Sequence, residues 1–140
     1  MLMEGLAFDH AVIHIDDWEA CNAFYGQVLG AELVENPEGS DNPLGAWAYR
    51  FVGHQINVHG PWPSRETPCC PPPLNEVGRA DLCFRTAQPP GETVALLRSR
   101  GIAVEAGPMR RFGFRGWGTS VYCRDPSGNG IELISYEEEP

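Results

Sequence analysis

The stretch DPSGNGIEL, residues 125–133, places a cluster of turn-forming residues before an alternating apolar and acidic run. Pro, Ser, Gly and Asn favour turns, and alternation is typical of a half-buried strand, so this stretch predicts a turn that enters a strand. A second stretch, FYGQVLG at residues 24–30, closes on Gly30, which is typical of a helix end. Together the two stretches predict a helix in the first half of the chain and a closing strand in the second.

The apolar pattern around these stretches gives one order of elements twice: a strand, a helix and three strands. A repeat of about 70 residues is too long for a solenoid unit and indicates a duplicated module. The expected fold class is therefore α+β, with two tandem βαβββ modules forming one domain over residues 1–140. Module one covers residues 6–59, module two covers residues 79–136, and a Pro- and Cys-rich linker covers residues 60–78.

The two modules can be aligned residue by residue. An offset of 71 residues carries His10 onto Asp81, and an offset of 75 carries Asn57 onto Glu132. In module two the strand after the helix is predicted at residues 102–106. The run that follows it, residues 110–117, interleaves Arg110, Arg111 and Arg115 with aromatic residues. It is expected either to form a surface loop whose arginines pair with acidic residues, or to cover a cavity and bind a carboxylate or phosphate.

Strand alternation predicts where the polar side chains point, since successive side chains face opposite sides of a sheet. His10 and His14 are expected on the face of the first strand away from the helix, and His59 on the same face of its module. Asp81 and Glu132 occupy the corresponding face of module two. Such a face either encloses a polar cavity or is simply solvated, and alternation alone leaves both open. His14 lies four strand residues beyond His10, too far to bind the same ion, and is interpreted as a wall residue.

Composition excludes several classes of function. The 140-residue chain has 19 acidic residues and ten basic ones, all arginine, and a formal charge of −9. Nucleic acid and anionic membranes are therefore not expected as partners. The absence of lysine removes Schiff-base chemistry and the P-loop lysine. Five cysteines without a CxxC pair indicate reduced thiols, and the lack of a long apolar run or leader favours a cytoplasmic protein.

The chain resembles a known superfamily. DHAVIHIDD at residues 9–17, together with the stretches at 24–30 and 125–133, is similar to the vicinal oxygen chelate proteins, which include glyoxalase I, fosfomycin-resistance thiol transferases, extradiol dioxygenases and bleomycin-resistance proteins. QINVH at residues 55–59 followed by ADLCF at 80–84 is similar to glyoxalase-domain-containing protein 5 and to virulence-associated members. The resemblance implies paired modules that curl around a divalent metal, and it implies a homodimer.

The same resemblance implies the metal ligands. His10 matches the first-strand histidine ligand and Glu132 the last-strand glutamate, and Glu132 is also the expected catalytic residue because it can move a proton near the metal. His59 is favoured as the third ligand over Asn57, whose carboxamide is a poor ligand. Asp81 stands at the fourth position, where it would bind through oxygen, support the site indirectly or mark a degraded site. This donor set suits Ni, Co, Zn, Mn or Fe and does not choose among them.

The predicted function is that of a metal-dependent, glyoxalase-like lyase or isomerase acting on a small oxygen-rich metabolite. The alternatives are a metal-free small-molecule binding protein of the bleomycin-resistance type and an extradiol-type dioxygenase. The residues expected to bind substrate are Trp47, Asp81, Arg115, Tyr122 and Arg124.

Overall fold

The computed structural model describes residues 2–35, 47–60 and 76–137, so most of the predicted linker lies outside the described residues. The strands are β1 His10–His14, β2 Glu32–Glu35, β3 Trp47–Phe51, β4 His54–His59, β5 Asp81–Arg85, β6 Ala106–Gly113, β7 Gly116–Arg124 and β8 Gly130–Tyr136. The helices are α1 Trp18–Ala23 and α2 Pro90–Ser99. None of the helices in the described ranges is long and apolar enough to cross a membrane.

These strands form two four-stranded sheets with the same topology. The strand order is β1-β4-β3-β2 in the first sheet and β5-β8-β7-β6 in the second. In each sheet the first and last strands of the module pair in parallel, and the other neighbours are antiparallel. The predicted α+β fold of two βαβββ modules is confirmed.

The first helix changes its geometry part-way along. Asp17 caps α1 by accepting a hydrogen bond from the backbone N–H of Ala20 at 3.0 Å. The next residues, Phe24–Val28, form a π-helical segment, in which the N–H of Leu29 donates to the carbonyl of Phe24. Gly30 ends the helical run with a φ of 78°, a conformation that glycine adopts without steric cost. The predicted helix therefore has the expected extent, with a wider second half.

The prediction for residues 102–117 was wrong. Instead of the strand expected at residues 102–106, the structure has β6, which begins at Ala106 and ends at Gly113. The residues expected to form a surface loop lie mostly in a β6–β7 hairpin, in which Arg110 pairs with Thr119 and Phe112 with Trp117. In the structure Gly113 and Gly116 flank the hairpin turn, and the pairing with β7 satisfies the backbone of the residues between Met109 and Gly113.

Residues of both modules contribute to one hydrophobic core. Its buried members come from β1, α1, the π-helical segment, β3, β4, α2, β7 and β8, and they are Ile13, Ile15, Cys21, Phe24, Tyr25, Tyr49, Ile56, Val58, Leu97, Val121, Cys123, Ile131 and Leu133. Ile13 and Ile56 of module one and Ile131 of module two have the alternation that the sequence predicts for the helix side of each sheet. The opposite face of each sheet therefore carries the polar residues.

A buried carboxylate joins the two modules. Asp125, in the turn before β8, is 4% exposed and accepts a hydrogen bond from the hydroxyl of Tyr25, which is fully buried in module one, at 2.7 Å. The side-chain amide of Asn129 donates to the same carboxylate at 2.8 Å, and two backbone N–H groups of the turn donate to its other oxygen. Ser127 of the same turn donates to Asp16 at 2.8 Å. The turn therefore holds module one through side chains.

We expect Tyr25→Phe to lower the free energy of unfolding by about 1–3 kcal/mol, because the buried Asp125 carboxylate loses one donor. The matched control is Tyr49→Phe, which removes a hydroxyl that donates to the neutral side-chain oxygen of Asn22 and is expected to cost about 1 kcal/mol or less. Urea denaturation measures both losses. Equal losses in the two variants would show that Asp125 does not depend on this donor.

Candidate functional site

The open face of the second sheet is organised around Glu132. The Ser120 hydroxyl donates to its Oε2 at 2.7 Å. Tyr122 is its cross-strand neighbour on β7 and Cys83 its neighbour on β5, and the carboxylate influences the ionisable groups of both side chains. The short bond from Ser120 therefore orients the carboxylate between a thiol and a phenol, and the carboxylate remains partly exposed on the open face.

The carboxylate affects the groups that donate to it. The pKa of the Cys83 thiol is raised to about 12, first by partial desolvation and then by the charge and hydrogen bond of Glu132. The pKa of the Tyr122 phenol is also raised, by desolvation and by the same carboxylate, while the hydrogen bond from Arg111 acts to lower it. Cys83 is thus a protonated donor near neutral pH rather than a thiolate nucleophile.

Arg111, on β6, contacts Tyr122 beside this carboxylate. Arg111 donates from Nε to the Tyr122 hydroxyl at 3.1 Å and from one terminal nitrogen to the carbonyl of Arg110 at 3.0 Å. The Arg110 guanidinium lies 4.0 Å from the centre of the Trp117 ring. In the sequence these arginines form one patch, and only the β6–β7 pairing shows that Arg111 reaches Tyr122.

On the first sheet, His10 and His59 lie apart. The β1–β4 register pairs His10 with Gln55 and His14 with His59. Four strand residues therefore separate the two predicted ligands, about 13 Å at 3.3 Å per residue. His10 donates from Nδ1 to the Asp9 carboxylate at 2.6 Å, which leaves its Nε2 for another contact.

His14 and His59 instead form an imidazole pair, in which His14 is buried and His59 is half-buried. Their ring centroids are 5.1 Å apart in an edge-on arrangement, and His14 is 8% exposed. Burial lowers the pKa of both rings, and the neighbouring His14 lowers that of His59 further. The parallel register of β1 and β4 creates this pair. It is the signal that could have identified His14, and the sequence alone does not give it.

The predicted substrate-binding residues fall into two groups. Asp81, Tyr122 and Arg124 line one cavity of about 360 Å³ on the second sheet, where Arg124 also bonds to Glu105 at 2.9 Å. The other two predicted residues lie elsewhere in the chain. Arg115 is in the β6–β7 turn, and Trp47 packs edge-on against Trp18 of α1 on the helix side, with ring centroids 5.5 Å apart.

Within the described part of one chain, the predicted ligands are not brought together. His10 lies on the first sheet and Glu132 on the second. Over the three described ranges, no group of three or more His, Cys, Asp or Glu residues is arranged to hold a metal ion. The predicted ligands therefore lie on two separate open faces.

Comparison with known proteins shows which family the chain belongs to. Residues 7–133 match the model of the Glyoxalase/Bleomycin resistance protein/Dioxygenase superfamily. The chain belongs to this superfamily. It is 34% identical to virulence protein STM3117 of Salmonella typhimurium over 134 residues, which cover 91% of this chain and 83% of the relative.

Two solved structures extend the comparison for this superfamily member. VPC_CASS1, from the mobile metagenome of V. Pseudocholerae, is 33% identical with a TM-score of 0.81, and the match covers 99% of this chain and all of that one. Lactoylglutathione lyase from Agrobacterium tumefaciens is 26% identical with a TM-score of 0.65, and the match covers 92% of each chain. The fold is therefore shared along nearly the whole chain.

The lowered pKa values of His14 and His59 predict how the stability of this superfamily member depends on pH. Because burial lowers both pKa values, the unfolded chain takes up protons that the folded rings do not, and stability falls as the pH drops below about 6.5. We expect His14→Gln to reduce the fall in unfolding temperature between about pH 7.5 and about pH 5.5. Thermal unfolding of both proteins across this range tests it, with the exposed His54→Gln as control. An equal reduction in the two variants would contradict the assignment.

Proposed function

We propose that the protein is a metal-dependent lyase or isomerase of the glyoxalase type, acting on a small oxygen-rich metabolite. The observation that carries the proposal is the Glu132 carboxylate, which Ser120 holds by a hydrogen bond on an open sheet face, between its strand neighbours Cys83 and Tyr122. A carboxylate fixed in this way is suited to accept a proton from one carbon of a substrate and return it to the next. The likeness to the Agrobacterium lactoylglutathione lyase supports this reaction class.

The surroundings of His10 fit a metal ligand. A histidine that donates its Nδ1–H to a carboxylate has its tautomer fixed and its Nε2 lone pair available, which is the usual state of a metal-binding imidazole. Asp9 supplies that carboxylate. A bound divalent ion, of Ni, Co, Zn, Mn or Fe, would act as a Lewis acid toward two neighbouring substrate oxygens. Glu132 supplies the oxygen ligand from the second sheet.

The separation of His10 and Glu132 onto two sheets of one chain supports a site completed by a second copy. In a symmetric dimer the first sheet of one copy faces the second sheet of the other, and each interface then holds one His10 and one Glu132. His59 pairs with His14 four register positions away from His10, and Asp81 lines the cavity of the second sheet, whose lining does not include Glu132. We therefore place His10 and Glu132 at the ion and the other two residues further out.

Metal binding tests the proposed ligands. We expect the purified protein to bind Co²⁺, and His10→Ala and Glu132→Ala each to weaken binding by about tenfold or more, since each removes a donor atom. His54→Ala, at an exposed histidine, is the control. Calorimetric titration with Co²⁺ measures the affinities. Unchanged affinity in both ligand variants would refute the ligand choice.

Mixing the two variants tests the shared site. If His10 and Glu132 come from different copies, a dimer of one His10→Ala chain and one Glu132→Ala chain keeps one intact site. Random pairing then restores about one quarter of the wild-type sites, counted by bound Co²⁺. A site contained within one chain gives no recovery, because every site then has a missing ligand.

A metal-free binding function is the second candidate, and one observation favours it. Phe112, Phe114 and Trp117 on the β6–β7 hairpin are 70%, 103% and 51% exposed, which gives an aromatic surface for a flat ligand. Failure of the wild-type protein to bind any divalent metal would favour this function. Dioxygenase chemistry ranks below both, because it needs two histidines on one iron and the β1–β4 register separates His10 from His59.

A further inference from the structure

Arg111 differs from Arg124 and Arg79, two other arginines of the second module, in how its charge is paired. Arg124 pairs with Glu105 at 2.9 Å, and Arg79 pairs with Glu76 at 2.8 Å. The hydrogen bonds of Arg111 go only to neutral oxygens, the Tyr122 hydroxyl and the Arg110 carbonyl, and no carboxylate of the described residues forms an ion pair with it. In a chain with 19 acidic residues, this leaves a full positive charge available to a ligand.

The position of this charge relates it to the proposed base. Tyr122 accepts a hydrogen bond from Arg111 and is the cross-strand neighbour of Glu132, so Arg111 contacts the residue next to the carboxylate. The guanidinium also lies over the Tyr122 ring, 5.9 Å from its centre. Contacts with Tyr122 and Arg110 thus fix the direction of the side chain before any ligand arrives. Less conformational freedom is then lost on binding than for a freely rotating arginine.

We propose that Arg111 binds the anionic group of the substrate and so selects small metabolites that carry a carboxylate or phosphate next to the carbon on which Glu132 acts. This inference rests on the proposed function for the reacting carbon, but the binding of an oxyanion by Arg111 can be measured on its own. A guanidinium presents parallel N–H donors that match two oxygens of a carboxylate or phosphate, and such charge-assisted pairs are the stronger hydrogen bonds in proteins.

Arg115 is the matched control for this proposal. It belongs to the same hairpin and carries the same charge, but it lies in the β6–β7 turn, where its backbone N–H donates to the Tyr136 hydroxyl. Six strand residues separate the start of β7 from Tyr122, about 20 Å in extended chain. A general effect of positive charge would therefore act through both arginines, and a specific site acts through Arg111 alone.

The experiment titrates the full-length protein with inorganic phosphate and, separately, with oxalate, in the presence and absence of Co²⁺. Binding is followed by NMR shifts of the Arg111 Nε–H and of the Tyr122 and Glu132 amides. We expect Arg111→Gln to weaken oxyanion binding by about tenfold or more, and Arg115→Gln by less than about twofold. Arg111→Lys keeps the charge without the planar donors and is expected to bind between these limits. The stronger of the two probes identifies phosphate or carboxylate as the preferred group.

Each outcome decides the proposal. Equal losses in Arg111→Gln and Arg115→Gln, or no phosphate or oxalate binding by the wild-type protein under either condition, would overturn it. Loss restricted to Arg111→Gln in a protein that binds no Co²⁺ would support the anion site while removing the proposed metal chemistry. Arg111 is exposed, so the variant is expected to fold. Tyr122→Phe, which removes the hydroxyl that orients Arg111, gives a second test and is expected to weaken oxyanion binding less than Arg111→Gln does.

Discussion

The architecture depends on the buried carboxylate of Asp125. An ionised group in a protein interior is stable only when hydrogen bonds replace the water it has lost, and here a tyrosine of the other module, an asparagine side chain and two backbone N–H groups do so. Because Tyr25 comes from module one, the carboxylate can be satisfied only when the two modules are docked. The predicted turn at residues 125–130 therefore also connects the two modules.

This contact between the modules determines which faces of the two sheets remain outside the core. With the helix sides of both sheets committed to one core, the polar faces carrying His10 and Glu132 are left on the outside of the chain. The two modules share a topology but differ in the side chains at equivalent positions. Asn57 of module one stands where module two has Glu132. The strand neighbour of Asn57 is Val12, and that of Glu132 is Cys83. The second sheet accordingly holds an oriented acid and an adjacent arginine, and the first holds imidazoles. In the proposed function, each face supplies a different ligand to one site.

Much of this was predictable from the sequence, and the failures have physical reasons. Alternation placed Ile13 and Ile131 in the core and Glu132 on the open face, because the period of a strand fixes its two sides. The period does not show which residues of two neighbouring strands lie opposite each other. The register of β1 with β4 separates His10 from His59, and a hairpin that uses glycines at its turn was predicted as a loop. Contacts that depend on register, such as Arg111 with Tyr122, need coordinates.

The π-helical segment at Phe24–Val28 also bears on how this chain can vary in length. Its wider turn accommodates one more residue than an ordinary α-helix would over the same rise. Deleting one residue after Tyr25 in this segment would restore α-helical hydrogen bonding and leave the helix on both sides in phase, because the wide turn already takes up the extra residue. Phe24 and Tyr25 would then still point inward, and the phenol would keep its partner in the opposite half. The same deletion in the regular part of the helix, α1, would rotate the following residues by about 100°, so a change of one residue in length should be tolerated better in the wide turn than before it.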